Sequence, residues 1–387
     1  MTPAERAERF GVALLGSRLS KLGAEAHGGS EVVLWEDVEI LRAAGLAVRV
    51  YARGAFEGAP VTVIPMRTSA RLISSLEYAG QFVRDERNSL LVSYNEPTVA
   101  LLAPRRTIVR FDWTTPLPRY WSWPVCAERF RAARYVFPSQ SQRQLFLDDH
   151  PGIPKRNAIA IANAVNLELF RPADDRRIHH RDGRLRVGFA GQWVPGKGIN
   201  ELLEAWDVVQ AEMPDAELLL AGGPALWKNV DGVAQADECG ERVRQAESQG
   251  RLRCVGAIPR NRMPEFWNSM DVMVMPSLCE SFGLVVLEAM ACGIPVVSTS
   301  AGGLKEIVVD GETGLLVPPG DAHALSVALR KMLADESLRR RLARGALRRA
   351  QAFSLERRSI ELLQLVLGTL RTPASADHAD EPLAVRT

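Results

Sequence analysis

Residues 276–297 read PSLCESFGLVVLEAMACGIPVV, and this stretch decides the fold. The apolar run VMVM at 272–275 precedes it and predicts a buried parallel strand. Pro276 ends that strand because proline has no N–H to donate to a sheet. A polar loop then leads into the apolar segment 284–292, which Gly293 and Pro295 terminate as a helix. Strand, loop and helix in this order predict an α/β sheet.

Two carboxylates flank this turn of the chain. Glu280 lies in the loop and Glu288 on the following helix, at the carboxyl end of the strand, where open α/β sheets bind ligands. Carboxylates accept hydrogen bonds from hydroxyls, and the N–H groups of residues 282–285 lie at a helix N-terminus, which favours an anion. A sugar joined to a phosphate fits this combination. The alternative is that Glu280 is a solvated loop residue and Glu288 a surface helix residue.

The whole string is more specific than either glutamate. Residues 276–297 resemble the Glu-x7-Glu signature of retaining nucleotide-sugar glycosyltransferases of the family four type, and residues 301–321, AGGLKEIVVDGETGLLVPPGD, resemble its continuation. The resemblance implies the α/β GT-B fold. That fold has two Rossmann-like domains facing each other across a cleft, and a C-terminal helix that crosses back to the first domain.

The length of 387 residues predicts two domains. Residues 159–170, IAIANAVNLELF, resemble the family's domain junction. We therefore expect an acceptor-side domain over 1–170, a linker over 171–184, a nucleotide-sugar-binding domain over 185–354 and a crossover helix over 355–371. Residues 372–387 are rich in Pro, Ala and Asp and predict a disordered tail.

Composition and charge indicate the cellular compartment and the kinds of partner to expect. A formal net charge of +2 gives no global case for binding nucleic acid. The five cysteines show no Cys-x-x-Cys spacing, which favours reduced thiols in the cytoplasm. The charged N-terminus lacks the apolar core of a secretory signal, and no run of about 18 apolar residues predicts a membrane span.

The first half begins with a predicted strand at 11–15 and a loop that ends in Gly28 and Gly29, followed by a helix to about Ala44. Strand, Gly-rich loop and helix can cradle a phosphate, although a plain turn is the commoner explanation of two glycines. In the resembled family this loop approaches the donor diphosphate and the acceptor.

Residues 110–135 interleave aromatic side chains with arginines. Such a segment can stack on a sugar acceptor or contact lipid headgroups at the inner face of the membrane. A packed loop with snorkelling arginines is the alternative. The resembled family often has a donor-contacting His at the start of this segment, where this chain has Phe111. We expect Asp112 or His27 to supply that contact, unless the donor lacks the hydroxyl.

The second half opens with a strand at 185–190 and the loop GQWVPGKG at 191–198. Its glycines let backbone approach an anion, and Lys197 adds a positive charge; a plain turn with an exposed lysine is the alternative. The family places an Arg and a Lys on the diphosphate, but Gln192 stands at the Arg position. Arg260 is the candidate substitute, or help to the leaving group is weaker.

The resemblance implies the remaining roles. The predicted catalytic residues are Glu280, which holds donor-sugar hydroxyls, Lys197 and Asp112. Glu288 holds the ribose. The diphosphate and donor sugar contact Gly28, Gly29, Gln192, Lys197, Phe282, Gly283, Leu284 and Val285. The nucleobase lies on the backbone of Val255, Gly256, Ala257 and Ile258.

The predicted function is transfer of a sugar, with retention, from a nucleotide-diphosphate sugar to an acceptor hydroxyl. A UDP-sugar is favoured over a GDP-sugar, and glycan, glycolipid and natural-product acceptors stay open. No metal or other cofactor is expected, because Lys197 and backbone N–H groups can stabilise the diphosphate. The alternative is an inactive nucleotide-sugar-binding partner subunit of the same fold. A sugar phosphorylase is disfavoured by the lack of a cofactor-lysine motif.

Overall fold

The structure is a computed structural model of the chain. It describes residues 11–15, 29–52, 62–65, 80, 82–84, 88–95, 99–100, 103–112, 132–173, 183–224 and 233–371. His27, Gly28, residues 113–131 of the aromatic stretch, most of the expected linker and the expected disordered tail lie outside these ranges.

The first half forms a parallel sheet with the strand order β3-β2-β1-β4-β5-β6-β7. Its elements are β1 (Gly11–Leu15), α1 (Gly29–Ala43), β2 (Ala47–Ala52), β3 (Thr62–Pro65), β4 (Asn88–Tyr94), β5 (Thr107–Arg110), β6 (Arg134–Phe137), α2 (Gln140–Asp149) and β7 (Ala158–Ala160). Helix α1 turns Leu34, Val38 and Leu41 into the core against β1 and β4, as the apolar spacing predicts.

The second half forms another parallel sheet, with the order β10-β9-β8-β11-β12-β13. Its elements are β8 (Arg186–Gln192), α3 (Ile199–Glu212), β9 (Glu217–Gly223), α4 (Val233–Ser248), β10 (Arg253–Gly256), α5 (Met263–Asn268), β11 (Val272–Met275), α6 (Leu284–Ala291), β12 (Val296–Thr299), α7 (Leu304–Ile307), β13 (Gly314–Val317), α8 (Ala322–Ala334) and α9 (Glu336–Ala350).

The predicted strand at 272–275 is confirmed as β11, which lies between β8 and β12 with all four residues buried. A central strand of a parallel sheet is covered on both faces, which explains its continuous apolar run. Strand β8 extends two residues beyond the predicted end at Ala190. Gly191 pairs with Gly222 there, and a Cβ on Gly222 would lie 1.9 Å from the Gly191 carbonyl oxygen.

A last helix, α10 (Leu355–Arg371), leaves the second half and packs on the first. Its Leu362 and Val366 join the core of the first sheet, and Val165 N–H donates to the Phe353 carbonyl just before it begins. Val165 and Ser354 form a parallel bridge, so the segment that leaves the first half contacts the segment that returns to it. Within the described ranges, no helix combines the length and apolar character needed to cross a bilayer.

Candidate active site

The predicted site lies where the strand order of the second sheet reverses, between β8 and β11. The loops after two such strands diverge and leave a crevice at the carboxyl edge of the sheet. The loop after β8 carries Lys197, and the loop after β11 carries Glu280. Topology therefore brings together residues that are far apart in the sequence.

Glu280 is buried although it lies in a loop, with 8% of its surface exposed. Its Oε2 accepts a hydrogen bond from Lys197 Nζ at 2.6 Å and a longer one from Ser277 Oγ at 3.3 Å. Its carbonyl oxygen accepts from Gly303 N–H at 2.9 Å. The interpretation of Glu280 as a solvated loop residue is wrong, because side chain and backbone are both held in place.

Lys197 is positioned by a close contact between the two loops. Leu278 N–H donates to the Gly196 carbonyl at 3.0 Å. Gly198 has φ of +69°, and a Cβ there would lie 2.0 Å from the Pro276 carbonyl oxygen. Only glycine fits such an approach without a shift of backbone. The pair Lys197–Glu280 therefore rests on a turn that its glycine makes possible.

Helix α6 begins beside this pair, after Gly283 at φ of +106°. The N–H groups of Val286 and Leu287 donate to the Gly283 carbonyl. Among the described residues no backbone acceptor is found for the N–H groups of Phe282, Gly283, Leu284 and Val285. These are the groups predicted to face the diphosphate, and free N–H groups at a helix N-terminus attract anions.

Gly29 brings the first half to the same place. A Cβ on Gly29 would lie 3.4 Å from Leu284 Cδ1, at the start of α6. The second glycine of the predicted loop therefore lies against the side chain of Leu284, whose N–H group is one of those predicted to bind the diphosphate.

Glu288 lies within α6 and is 5% exposed, so it is not a surface helix residue. Its Oε1 lies 3.8 Å from Arg260 Nη2. Burial raises the pKa of Glu288 to about 7, and Glu36 of the first half adds to the rise, while Arg260 opposes it. Glu288 is therefore a buried carboxylate whose nearest described cation lies 3.8 Å away, and it can accept hydrogen bonds from a ligand.

Asp112 follows β5 and is also buried. Its Oδ1 accepts from Arg110 Nε at 2.9 Å, and burial raises its pKa against the effect of Arg110. In the described part of the chain its Oδ2 has no hydrogen-bond partner. The Asp112 carbonyl accepts from Ser281 Oγ at 2.8 Å, which brings Asp112 next to the Glu280 loop. Its catalytic role stays a prediction.

Phe111, at the family's His position, points elsewhere. Its ring stacks on Phe137 at 5.5 Å and contacts Phe146 at 5.7 Å in the core of the first half. Gln192 ends β8, where it pairs with Gly223. The structure therefore supplies neither a ring nitrogen at 111 nor a cation at 192.

Arg260, the candidate to replace the missing cation beside Lys197, contacts acidic side chains of both halves, and its role at the diphosphate stays a prediction. Arg260 Nη2 donates to Glu36 at 3.0 Å and lies near Glu288. The positive charge of Arg260 is therefore balanced by two carboxylates, that of Glu36 in the first half and that of Glu288, the predicted ribose-binding residue.

The predicted base-binding residues lie at the carboxyl end of β10. Gly256 has φ of +72° with open space around it, and Gly256 and Ala257 are exposed while Val255 and Ile258 are half-buried. The backbone there is accessible, and its role stays a prediction. Within the described ranges no cluster of three or more His, Cys, Asp or Glu side chains could hold a metal ion.

The sequence interpretation missed Glu36 and Asp37 on α1. Both are buried and contact Arg358 of α10. The available signal was a pair of carboxylates between Leu34 and Val38 on the apolar face of that helix.

Solved structures with the same architecture define the class. Sucrose-phosphate synthase from Thermosynechococcus elongatus is 24% identical, with a TM-score of 0.75 over 93% of this chain and 99% of that one. Anabaena Alr3699/HepE, solved in complex with UDP and glucose, is 18% identical, with a TM-score of 0.73 over 93% of this chain and 100% of that one. The chain has the two-domain α/β GT-B fold, as the resemblance implied.

Residues 170–349 match the family model described as glycosyl transferases group 1. The match covers 180 of the 387 residues and agrees with the resemblance to glycosyltransferases of the family four type. A D-inositol 3-phosphate glycosyltransferase of Corynebacterium glutamicum (strain R) is 29% identical over 59% of this chain and 55% of its own length. That of Streptomyces avermitilis is 34% identical over 51% and 44%. The chain spans about half the length of the curated relatives it matches.

Proposed function

We propose that this protein transfers a sugar, with retention of anomeric configuration, from a nucleotide-diphosphate sugar to an acceptor hydroxyl. The observation that carries the proposal is the ion pair of buried Glu280 with half-buried Lys197, beside the N–H groups that begin α6. It places a carboxylate that can bind sugar hydroxyls, Glu280, beside Lys197 and the backbone N–H groups, which can bind a diphosphate. A UDP-sugar is the first candidate donor, because the similar Anabaena protein was solved with UDP and with UDP-glucose.

In this proposal the donor replaces contacts that the free protein makes with itself. Glu288 accepts hydrogen bonds from the ribose, and Glu280 accepts them from the donor sugar. Lys197 shifts toward the diphosphate, where it balances the charge that develops as the phosphate leaves. Glu280 is already bonded to Lys197 and Ser277, so we assign it to binding and not to nucleophilic attack.

The proposed chemistry is attack on the same face from which the diphosphate departs. The acceptor oxygen forms the new bond to the anomeric carbon as the bond to the phosphate oxygen breaks. The departing phosphate oxygen takes the acceptor proton. Charge stabilisation by Lys197 and by backbone N–H groups gives this route no need of a metal or other cofactor.

The acceptor is the least constrained part of the proposal. The similar curated proteins are named for D-inositol 3-phosphate, so a phosphorylated polyol is the first acceptor to test. Contact of residues 110–135 with the inner face of a membrane is a further proposal, and co-sedimentation with anionic vesicles tests it.

A second candidate, an inactive nucleotide-sugar-binding subunit, is favoured by Phe111 in the core and by the uncharged Gln192. Both remove groups that assist the reaction in the resembled family. Such a protein binds nucleotide without consuming donor.

Turnover separates the candidates. The full chain is incubated with UDP-glucose, UDP-N-acetylglucosamine or GDP-mannose, with and without D-inositol 3-phosphate, and with and without a chelator. Release of nucleoside diphosphate, lost in Glu280→Gln and kept in the exposed control Glu312→Gln, supports the enzyme. The anomeric coupling of the product tests retention. Nucleotide binding without release from any donor supports the inactive subunit instead.

A further inference from the structure

A line of charged side chains crosses from the predicted ribose carboxylate into the first half. Glu288 lies 3.8 Å from Arg260, and Arg260 bonds to Glu36 at 3.0 Å. Glu36 also bonds to Arg358 at 3.1 Å, and Arg358 bonds to Asp37. The line joins α6 of the second half to α1 and α10, both of which pack on the first sheet.

Arg260 is the member that belongs to both halves. The same nitrogen, Nη2, contacts Glu36 of the first half and Glu288 of the second. The guanidinium also lies over the ring of Phe170, 5.7 Å from its centre. In the described part of the chain its other terminal nitrogen, Nη1, is buried without a hydrogen-bond partner.

Structural anchoring accounts for only part of this arrangement. Arg358 with Glu36 and Asp37 joins α10 to α1, and these helices share one core. That anchor is complete without Arg260, which comes from the turn before α5 in the second sheet. Burying a further cation is unfavourable unless it is paired, so its presence points to a role at Glu288.

We propose that Glu36 is a positioning residue for the nucleotide site, which holds Arg260 beside Glu288 from the opposite domain. The inference rests on the proposed function, in which Glu288 binds the ribose. Arg260 and Glu288 both belong to the second half, so Glu36 fixes where the guanidinium lies relative to the ribose carboxylate only while the two domains are in contact.

Nucleotide binding and domain contact are therefore coupled. A ribose that bonds to Glu288 favours the arrangement in which Glu36 draws Arg260 away from that carboxylate, and by linkage that arrangement favours the nucleotide. Without Glu36, Arg260 is free to pair fully with Glu288, and the ribose has to displace it. Both effects weaken nucleotide binding.

The test is a double-mutant cycle on the full chain. The dissociation constant of UDP is measured calorimetrically for Glu36→Gln, for Arg260→Met and for the double variant. Matched controls are the exposed Glu39→Gln on α1 and Arg262→Met on the same turn as Arg260. We expect Glu36→Gln to weaken UDP binding about tenfold, in the usual range for coupled sites, and both controls to change it less than about twofold.

The cycle distinguishes positioning from general stability. We expect Glu36→Gln to have no further effect in the Arg260→Met background, because its action passes through Arg260. Equal effects in both backgrounds overturn the proposal, as does unchanged binding in Glu36→Gln. If the unmodified protein binds none of UDP, GDP, ADP and TDP, the proposed function fails first. If it binds UDP and Glu288→Gln weakens that binding while Glu36→Gln does not, only the positioning role fails.

Discussion

Lys197 and Glu280 form an ion pair with Nζ 2.6 Å from Oε2, across loops that follow two different strands. The lysine side chain is 29% exposed, and that of the glutamate is 10% exposed. The pair therefore opens toward solvent on the lysine side. In the proposed function a bound diphosphate competes with Glu280 for that cation, and Glu280 serves as the counter-ion of Lys197 in the free protein.

Replacing Lys197 by Met should lower turnover of the nucleotide sugar by about 100-fold or more, because one preorganised charge on the leaving group is lost. Steady-state kinetics on the best donor measures the effect. Lys331→Met, at an exposed lysine on α8, is the control.

The same variant leaves Glu280 buried without its cation. We expect Lys197→Met to destabilise the free protein, and Glu280→Gln in the same chain to restore part of the loss. Urea unfolding measures both. A double variant less stable than Lys197→Met would contradict the burial argument.

Burial of Glu288 should make the free energy of unfolding depend on pH. Burial raises the pKa of Glu288 from the 4.5 of an exposed glutamate to about 7, so its contribution to stability is fully present below pH 4.5 and is lost as the pH rises through 7. The full difference is on the order of 3 kcal/mol. Glu288→Gln should therefore gain stability relative to the unmodified protein between pH 5 and pH 8. Urea unfolding without nucleotide at both pH values checks this, and parallel pH profiles would contradict it.

Gly198 predicts a steric requirement. Gly198→Ala places a Cβ 2.0 Å from the Pro276 carbonyl oxygen, whereas Gly250, also at positive φ, has open space around it. Gly250→Ala should cost about 1 kcal/mol, the left-handed backbone penalty alone. Gly198→Ala should cost at least about 3 kcal/mol, in the range of severe substitutions, and weaken donor binding. Equal losses for the two variants would show that the loop contact is unimportant.

Glu306 predicts a contribution to domain contact. Its carboxylate accepts from the N–H groups of Gln140 and Ser141, at 2.9 and 2.7 Å, at the start of α2 in the other half. Removing a charged cap from a helix N-terminus costs about 1 kcal/mol or more. Glu306→Gln should lower the free energy of unfolding by that amount, and the exposed control Glu312→Gln should not.

Elements with strong periodicity were predictable from the sequence. The apolar spacing in 199–209 predicts the buried face of α3, and Ile199, Leu202, Leu203, Trp206 and Val209 are all buried. The strand at 272–275 and the helix after it were found from their apolar runs, because elements that are covered on all sides are apolar almost throughout.

The environments of Glu280 and Glu36 were not predictable from the local sequence. Burial of Glu280 depends on Lys197, which is 83 positions away. The position of Glu36 depends on Arg260 and Arg358, at separations of 224 and 322 positions. Such partners are set by tertiary packing, which leaves no local pattern. Phe111 shows the same limit, since the sequence gives its identity but not the side of the strand to which its ring points.

The central claim is that Glu288 binds the ribose of a nucleotide in the cleft. Thermal unfolding of the full chain with UDP, GDP, ADP and TDP tests it most directly, with Glu288→Gln and the exposed control Glu336→Gln measured alongside. A nucleotide at about 100 times its dissociation constant adds roughly 2.7 kcal/mol, a shift of a few degrees. We predict such a shift for one nucleotide, sharply reduced in Glu288→Gln and unchanged in the control. No shift with any nucleotide, or an undiminished shift in Glu288→Gln, would contradict the claim.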